Sequence, residues 1–323
     1  MVPELTKALP LVSVVVPNYN HANYLDKRIE SIVNQTYPNK ELILLDDAST
    51  DESIQKLKNY YQRWHPHLIT KLLINEKNSA SPFKQWKRGV EAARGELIWI
   101  AESDDYSSSE FLERLVEAYF SALSGGHRCG LLFTGSHSVN EVGEKLADKE
   151  KIIRFNTVYC KPINLINRVE FVNKYLVINP IIINASAVLF EKRLFPDQHA
   201  SYILKMRQSG DMSTWLEILK ESDIIYVSDK LNYHRRHSGS VTHRNNARML
   251  MMRKELVIFL SACKQYPGIN LSLIIVRLNG LLKKTTREVL QMKVNHLPLT
   301  ISIITLLATT HTKQILQRWS VFR

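Results

Sequence analysis

Glu102-Ser103-Asp104-Asp105 sets three carboxylates within four residues. Carboxylates packed this densely repel one another unless a cation neutralises them, and hard oxygen ligands of this kind suit Mg²⁺ or Mn²⁺ rather than zinc. A divalent ion held there would be placed to grip a diphosphate. A second acidic pair, Asp46-Asp47, and Asp211, which follows Gly210, add groups able to accept a hydrogen bond or take up a proton. His234-Arg235-Arg236-His237 supplies imidazole and guanidinium groups suited to phosphate or metal. Each has a plainer reading. The first acids can be a loop ahead of a helix cap at Ser107-Ser108-Ser109-Glu110, Asp46-Asp47 a loop into the next cap, Asp211 a cap of its own helix, and the basic run a solvated loop.

The elements around these groups favour chemistry. Leu11 to Pro17 reads as a β-branched strand stopped by proline, followed by the polar loop Asn18-Tyr19-Asn20-His21. Helical spacing covers Tyr24 to Gln35, and Leu42 to Leu45 is a buried strand ending at Asp46-Asp47. Ser49-Thr50-Asp51-Glu52 can cap a helix running to about Trp64, with a short strand over 71–75 after it. A helix from Pro82 to Ala93 then leads to the apolar strand Leu97 to Ala101 and the Glu102 cluster. Strand and helix alternate four times, which predicts an α/β fold with a doubly wound, mostly parallel sheet whose acidic loops share one edge. Neither G-x-G-x-x-G nor G-x-x-x-x-G-K-[ST] follows the first strand, so a nucleotide would be held by side chains and metal.

Beyond a helix over 111–123 the pattern changes: a strand over 129–134, a turn at 140–144, helix around 168–175, strand over 185–190, helix over 214–220, and short strands over 224–227 and 231–234. From about Arg244 the chain reads as helical, broken near Tyr266-Pro267-Gly268 and His296-Leu297-Pro298. The expected division is 1–243, with a nucleotide half over 11–105 and an acceptor half over 106–243, and a C-terminal helical extension over 244–323.

The chain has 323 residues, 45% hydrophobic and 23% charged, as in ordinary globular proteins. Its net charge of +12 is concentrated late: after residue 240 there are thirteen Lys or Arg against Glu255 and Glu288. Such a tail is expected either to pack on the core with solvated lysines or to dock on an anionic membrane surface, and the two are compatible. No nucleic-acid motif accompanies the charge, so no nucleic-acid partner is expected. Three cysteines without metal or redox spacing point to a reducing compartment. The first ten residues lack a signal-peptide core, and Leu297 to Thr310 is too short and polar to span a membrane.

The segment VSVVVPNYNHANYLDKRIESIVNQTYPNKELILLDDASTDES resembles the opening of family 2 glycosyltransferases, enzymes of the GT-A fold. ARGELIWIAESDD is similar to that family's approach to its metal motif. SGDMSTWLEIL resembles its catalytic-base segment, and LNYHRRHSGSVT a late motif of bacterial members. The likeness covers roughly residues 11–245 with four motifs in order.

That resemblance implies an inverting, Mg²⁺- or Mn²⁺-dependent glycosyltransferase. Its donor would be a nucleotide sugar, UDP-linked in the commonest case, and its acceptor a glycan or lipid-linked glycan hydroxyl. The setting would be surface polysaccharide or glycolipid synthesis in the cytoplasm, with peripheral contact to the inner membrane face through 244–323. By the same resemblance Pro17 and Tyr19 line the nucleoside pocket. Asp47 accepts from the base, with Asp46 a second candidate. Asp104 contacts ribose or the metal's waters, Asp105 coordinates the metal, and Glu102 stands where many members have aspartate. Ser79 stands where many have glycine. Asp211 is the general base. His237 is a metal ligand or phosphate contact, supported by Arg235 or Arg236. The alternative on the same fold is a non-catalytic nucleotide-sugar-binding partner. A nucleotidyltransferase would place a glycine-rich loop where PNYNH stands, and a nucleic-acid binder would show strongly salt-dependent affinity.

Overall fold

A computed structural model describes residues 9–237, 246–290 and 297–320. The first half follows the alternation of the sequence: β1 (Val12–Asn18), α1 (Ala22–Val33), β2 (Lys40–Asp46), α2 (Ser53–Trp64), β3 (Ile69–Ile74), α3 (Pro82–Ala92) and β4 (Leu97–Ile100). The four strands are parallel, with Val14 of β1 opposite Leu42 of β2 and Trp99 of β4. Their runs are apolar throughout because both sheet faces are covered. Val14, Leu44 and Trp99 pack on one face with Leu25 and Ile29 of α1 and Leu57 of α2. Val15, Ile43 and Ile100 pack on the other with Phe83 and Trp86 of α3. Trp99 is fully buried, stacks on Phe111 at 4.6 Å and donates its N–H to Ser186 O at 2.8 Å. Truncating such a ring to alanine costs about 3–5 kcal/mol.

The second half is mixed. β5 (Tyr106–Ser107), α4 (Phe111–Ser124), β6 (Cys129–Val139), α5 (Glu150–Val158), β7 (Ile163–Ile166), α6 (Arg168–Phe171), β8 (Val188–Glu191), α7 (Gly210–Ile218) and β9 (Asp223–Arg235) follow in turn. The sheet order is β3-β2-β1-β4-β8-β6-β9-β5, with β7 also paired to β9. β8 runs antiparallel to both β4 and β6, while β6 and β9 are parallel. This half departs from the sequence reading in several places, among them the unpredicted strands β5 and β7 and the extension of β6 to Val139. α5 lies in a stretch whose pattern predicted no helix over those residues. Ala185–Ala187 is a 3-10 turn, so the strand there starts only at Val188. The two short strands expected over 224–234 are one strand: the polar Ser228-Asp229-Lys230 that divides the apolar pattern is absorbed by register shifts against Thr134, Gly135 and Ser136.

The C-terminal helices are α8 (Asn246–Cys263), α9 (Leu271–Leu290) and α10 (Leu297–Ser320). Phe259 and Leu260 of α8, Ile274 and Leu278 of α9 and Ile303 of α10 are buried in the same cluster as Phe83, Trp215 and Phe190. Tyr266 donates its hydroxyl to Leu219 O at 2.7 Å, just after α7. The extension thus packs on the sheet domain and completes one side of its core. Among the described residues no helix is long and apolar enough to cross a membrane.

Candidate active site

Three loops at the C-terminal ends of β1, β2 and β4 meet at one sheet edge. The loops after β1, β2 and β3 each contain an uncommon backbone conformation: Asn20 (φ 55°), Ala48 (φ 61°) and Ala80 (φ 61°). Non-glycine residues in this region are strained, by roughly 1–2 kcal/mol each, and such strain gathers at functional sites. Asp51 helps hold the first two loops together. Its carboxylate accepts from Ala22 N, where α1 has no side-chain cap of its own, and from Ser53 N, each at 2.9 Å.

The two acids after β2 differ in role. Asp46 is fully buried and accepts from Asn18 Nδ2 at 2.8 Å, Ser49 N at 2.8 Å and Ser49 Oγ at 2.7 Å. Three of a carboxylate's roughly four lone pairs are thereby spent on shaping the loop, so the structure gives Asp46 a scaffolding place rather than an open one. Asp47 Oδ1 accepts from Asn75, Ser79 N and Gln85 at 2.6–2.8 Å, and its Oδ2 from Ser79 Oγ at 2.8 Å. Ser79, where glycine was the expected residue, uses its hydroxyl to orient Asp47. Pro17 is buried in β1 and Tyr19 beside it is 45% exposed.

The acids after β4 are divided. Glu102 turns inward: Oε1 accepts from Trp86 Nε1 at 2.8 Å. Burial first, then the charge of Asp104, push its carboxyl up to about 8, against the Trp86 bond. In this arrangement the Glu102 carboxyl is directed at an indole of α3. Asp105 is also buried, at 2% exposure, and accepts from Arg235 N at 2.9 Å and from Asn184 Nδ2. Burial and the neighbouring Asp104 raise its carboxyl as well. It ties the loop after β4 to β9.

Asp104 is the outward acid. Its Oδ2 lies 3.0 Å from His237 Nε2. Burial pushes the carboxyl up, but His237, His21 and His234 outweigh it and hold it at about 2. His21, Asp104 and His237 present ligand atoms all within 4.8 Å of one another. His21 Nδ1 is also 2.9 Å from Ser103 Oγ, a contact of the kind that orients a metal-binding imidazole. Donor types and spacing therefore fit a divalent ion, and the nitrogen donors favour Mn²⁺ over Mg²⁺.

Arg235 is held by the chain itself. It is 6% exposed, donates to Asp104 O at 2.9 Å and to Glu141 O, and sits over the rings of Tyr24 and Tyr106. Arg236 is exposed. Residues 238–242, the rest of the late motif, lie outside the described residues. Beneath the acids lies fully buried Arg28, whose Nε donates to Glu102 O at 2.8 Å while its two Nη atoms have no hydrogen-bond partner. Burial lowers its guanidinium to about 10, opposed by Asp105, Asp104 and Glu102. Sequence reasoning missed both His21 and Arg28. His21 stood in the polar loop after β1; Arg28 carried no signal, since arginine on a helix reads as solvated.

Asp211 sits in the first turn of α7, partly buried, with Oδ1 accepting from Met212 N at 2.8 Å. Burial raises its carboxyl to about 6, with Glu255 adding to the rise. The preceding glycine serves close approach: a Cβ on Gly210 would lie 2.5 Å from two atoms of the Phe83 ring. Ser81 Oγ donates to Met206 O at 2.7 Å, and Ser79 Oγ shares its one hydrogen between Asp47 Oδ2 at 2.8 Å and Ser81 O at 3.1 Å. The Asp47 loop and the loop before Asp211 are thus joined by hydroxyls.

A parallel α/β half ending in acidic loops, joined to a mixed half that returns an imidazole to them, is the GT-A architecture. Residues 13–123 match the family model described as Glycosyl transferase family 2. The chain is 38% identical over 106 residues to an uncharacterized glycosyltransferase of Haemophilus influenzae, covering 33% of this chain and 41% of that one. It is 27% identical over 286 residues to glycosyltransferase GlyG of Streptococcus pneumoniae, covering 84% and 87%. In fold it resembles residues 1–349 of Staphylococcus aureus TarS, solved with UDP (TM-score 0.61, 18% identity, 93% of this chain and 80% of that one). It also resembles the mannosyltransferase PcManGT of Pyrobaculum calidifontis, solved with GDP-Man and Mn²⁺ (TM-score 0.54, 15% identity, 98% and 81%). Residues 13–123 thus carry a Glycosyl transferase family 2 domain, and the chain as a whole is similar in sequence to bacterial glycosyltransferases and in fold to GT-A structures.

Proposed function

We propose that this glycosyltransferase moves a sugar from a UDP-linked donor to an acceptor hydroxyl with inversion, using a divalent ion. The observation that carries the reading is the grouping of Asp104, His237 and His21 at the edge where β1 and β4 end. Asp104, His237 and His21 would hold the ion, in place of the Glu102, Asp105 and His237 set. When bound, it would act as a Lewis acid toward the charge gathering on the departing diphosphate.

The chain's own groups do the rest. Tyr19 offers an exposed ring on which the base can stack. Asp47, steadied by Asn75, Ser79 and Gln85, keeps room on Oδ2 for a base N–H. Asp211 takes the acceptor's hydroxyl proton as that oxygen attacks the anomeric carbon opposite the diphosphate, whose bond breaks with its electron pair. Such base assistance is worth about 10²–10⁴ in rate. Work on surface polysaccharide or glycolipid at the inner membrane face is the setting the resemblance implies. The basic helices α8–α10, with Val276, Ile301 and Ile304 exposed, are compatible with it.

The test is calorimetry of UDP binding with and without Mn²⁺. Asp104→Ala should lower Mn²⁺-dependent affinity by about a hundredfold, and unchanged affinity would refute the assignment.

A further inference from the structure

Glu255 lies on α8, outside the motifs and in the C-terminal extension. It is 5% exposed, and a buried carboxylate needs strong donors. It has three: Oε1 accepts from Arg207 N at 2.7 Å, and Oε2 from Gln208 N at 2.9 Å and Ser209 N at 2.8 Å. These consecutive amides form the chain immediately ahead of α7, and Asp211 is two residues beyond the last. The same helix takes a second hold, since Gln208 Nε2 donates to Arg248 O at 3.0 Å. On the opposite side Ser81 holds Met206 O, and Gly210 is wedged against Phe83. The position of Asp211 is therefore set by contacts from α8 and from the Ser81–Phe83 segment, and on the α8 side the Glu255 carboxylate takes three of the four hydrogen bonds.

We infer that Glu255 is a positioning residue for the catalytic base, making the C-terminal extension part of the active-site apparatus. This rests on Asp211 being that base. Glutamine at 255 would turn an NH₂ group toward backbone N–H groups, so part of the clamp would become donor against donor. A misplacement of about 1 Å at a reacting group can cost about a hundredfold in rate. Glu255→Gln should accordingly lower kcat about tenfold to a hundredfold while leaving affinity for UDP with Mn²⁺ unchanged. Removing its negative charge should also move the acid limb of kcat to lower pH, since Glu255 raises the Asp211 carboxyl.

The control is Tyr266→Phe, which deletes another buried bond between the extension and the core, to Leu219 O, without touching the 207–209 amides. It should leave kcat within twofold of wild type, roughly the scatter expected when no reacting group moves. A comparable fall in both variants would show that the extension merely docks, and so would an equal loss of UDP affinity. Hydrogen exchange tests the clamp without any variant: amides 207–209 should be protected in the wild-type protein, and fast exchange there would overturn the inference even if Glu255→Gln fails to fold. Retained activity in Asp211→Asn would sink the base assignment instead, and would leave the exchange result standing.

Discussion

Replacing Asp211 by asparagine separates the catalytic cost of this carboxyl from its stability cost. Burial holds it at about 6 instead of its ordinary 3.8. The difference is about 2 pH units at 1.36 kcal/mol each, roughly 3 kcal/mol. Since the side chain keeps some water contact, about 1–3 kcal/mol is the expected range. The sign follows from proton binding: between pH 3.8 and about 6 the folded chain holds more protons at this site than the unfolded chain does. Stability from this group is therefore greatest at low pH, falls across that window and stays low above it. Asparagine carries no charge at any pH and can still accept from Met212 N. Asp211→Asn should thus be about 1–3 kcal/mol more stable than wild type at pH 7.5, and equal to it near pH 3.5 where the chain stays folded. Its kcat should fall by about 10²–10⁴. In the wild type at saturating Mn²⁺, kcat should drop about tenfold from pH 7 to pH 5, as only about a tenth of the carboxyl stays ionised. Urea denaturation at both pH values and a pH–rate profile make the measurements. A variant less stable at pH 7.5, or a profile flat between pH 5 and 7, would refute the reasoning.

Two further substitutions probe the frame. Glu102→Gln keeps an acceptor for Trp86 Nε1 in place of a carboxyl that burial pushes up, so Mn²⁺-dependent UDP affinity should stay within about threefold by calorimetry; a hundredfold loss would make Glu102 a ligand. Gly210→Ala forces a methyl into the Phe83 ring, so chemical denaturation should show about 1–3 kcal/mol of destabilisation, and kcat should fall as Asp211 shifts.

The first half of the fold was legible because β1, β2 and β4 are buried on both faces and their acids sit where parallel strands end. Nothing comparable marks the second half. α5 and the 3-10 turn at Ala185–Ala187 lack a clean period, and the bulge at Ser228-Asp229-Lys230 makes one strand look like two. The motifs located the site but left open which acid faces out. Asp104 and Asp105 are adjacent in a strand-end loop, and only Asn184, Arg235 and His237, 79 to 133 residues later, decide which is tied inward. Glu255 carried no signal at all, since its three partners are backbone amides.

That sequence separation matters while the polypeptide is being made. The strands through β4 leave the ribosome with Asp104 and Asp105 in place, yet the β9 residues that pair with them are about 130 positions later. At 5–20 residues per second the wait is on the order of ten seconds. During it Arg28, synthesised earlier and lodged under the same loop, is the cation already at hand. A guanidinium with two unpartnered Nη groups, and the imidazole of His21, are thus in the chain before the last member of the cluster, His237, is translated.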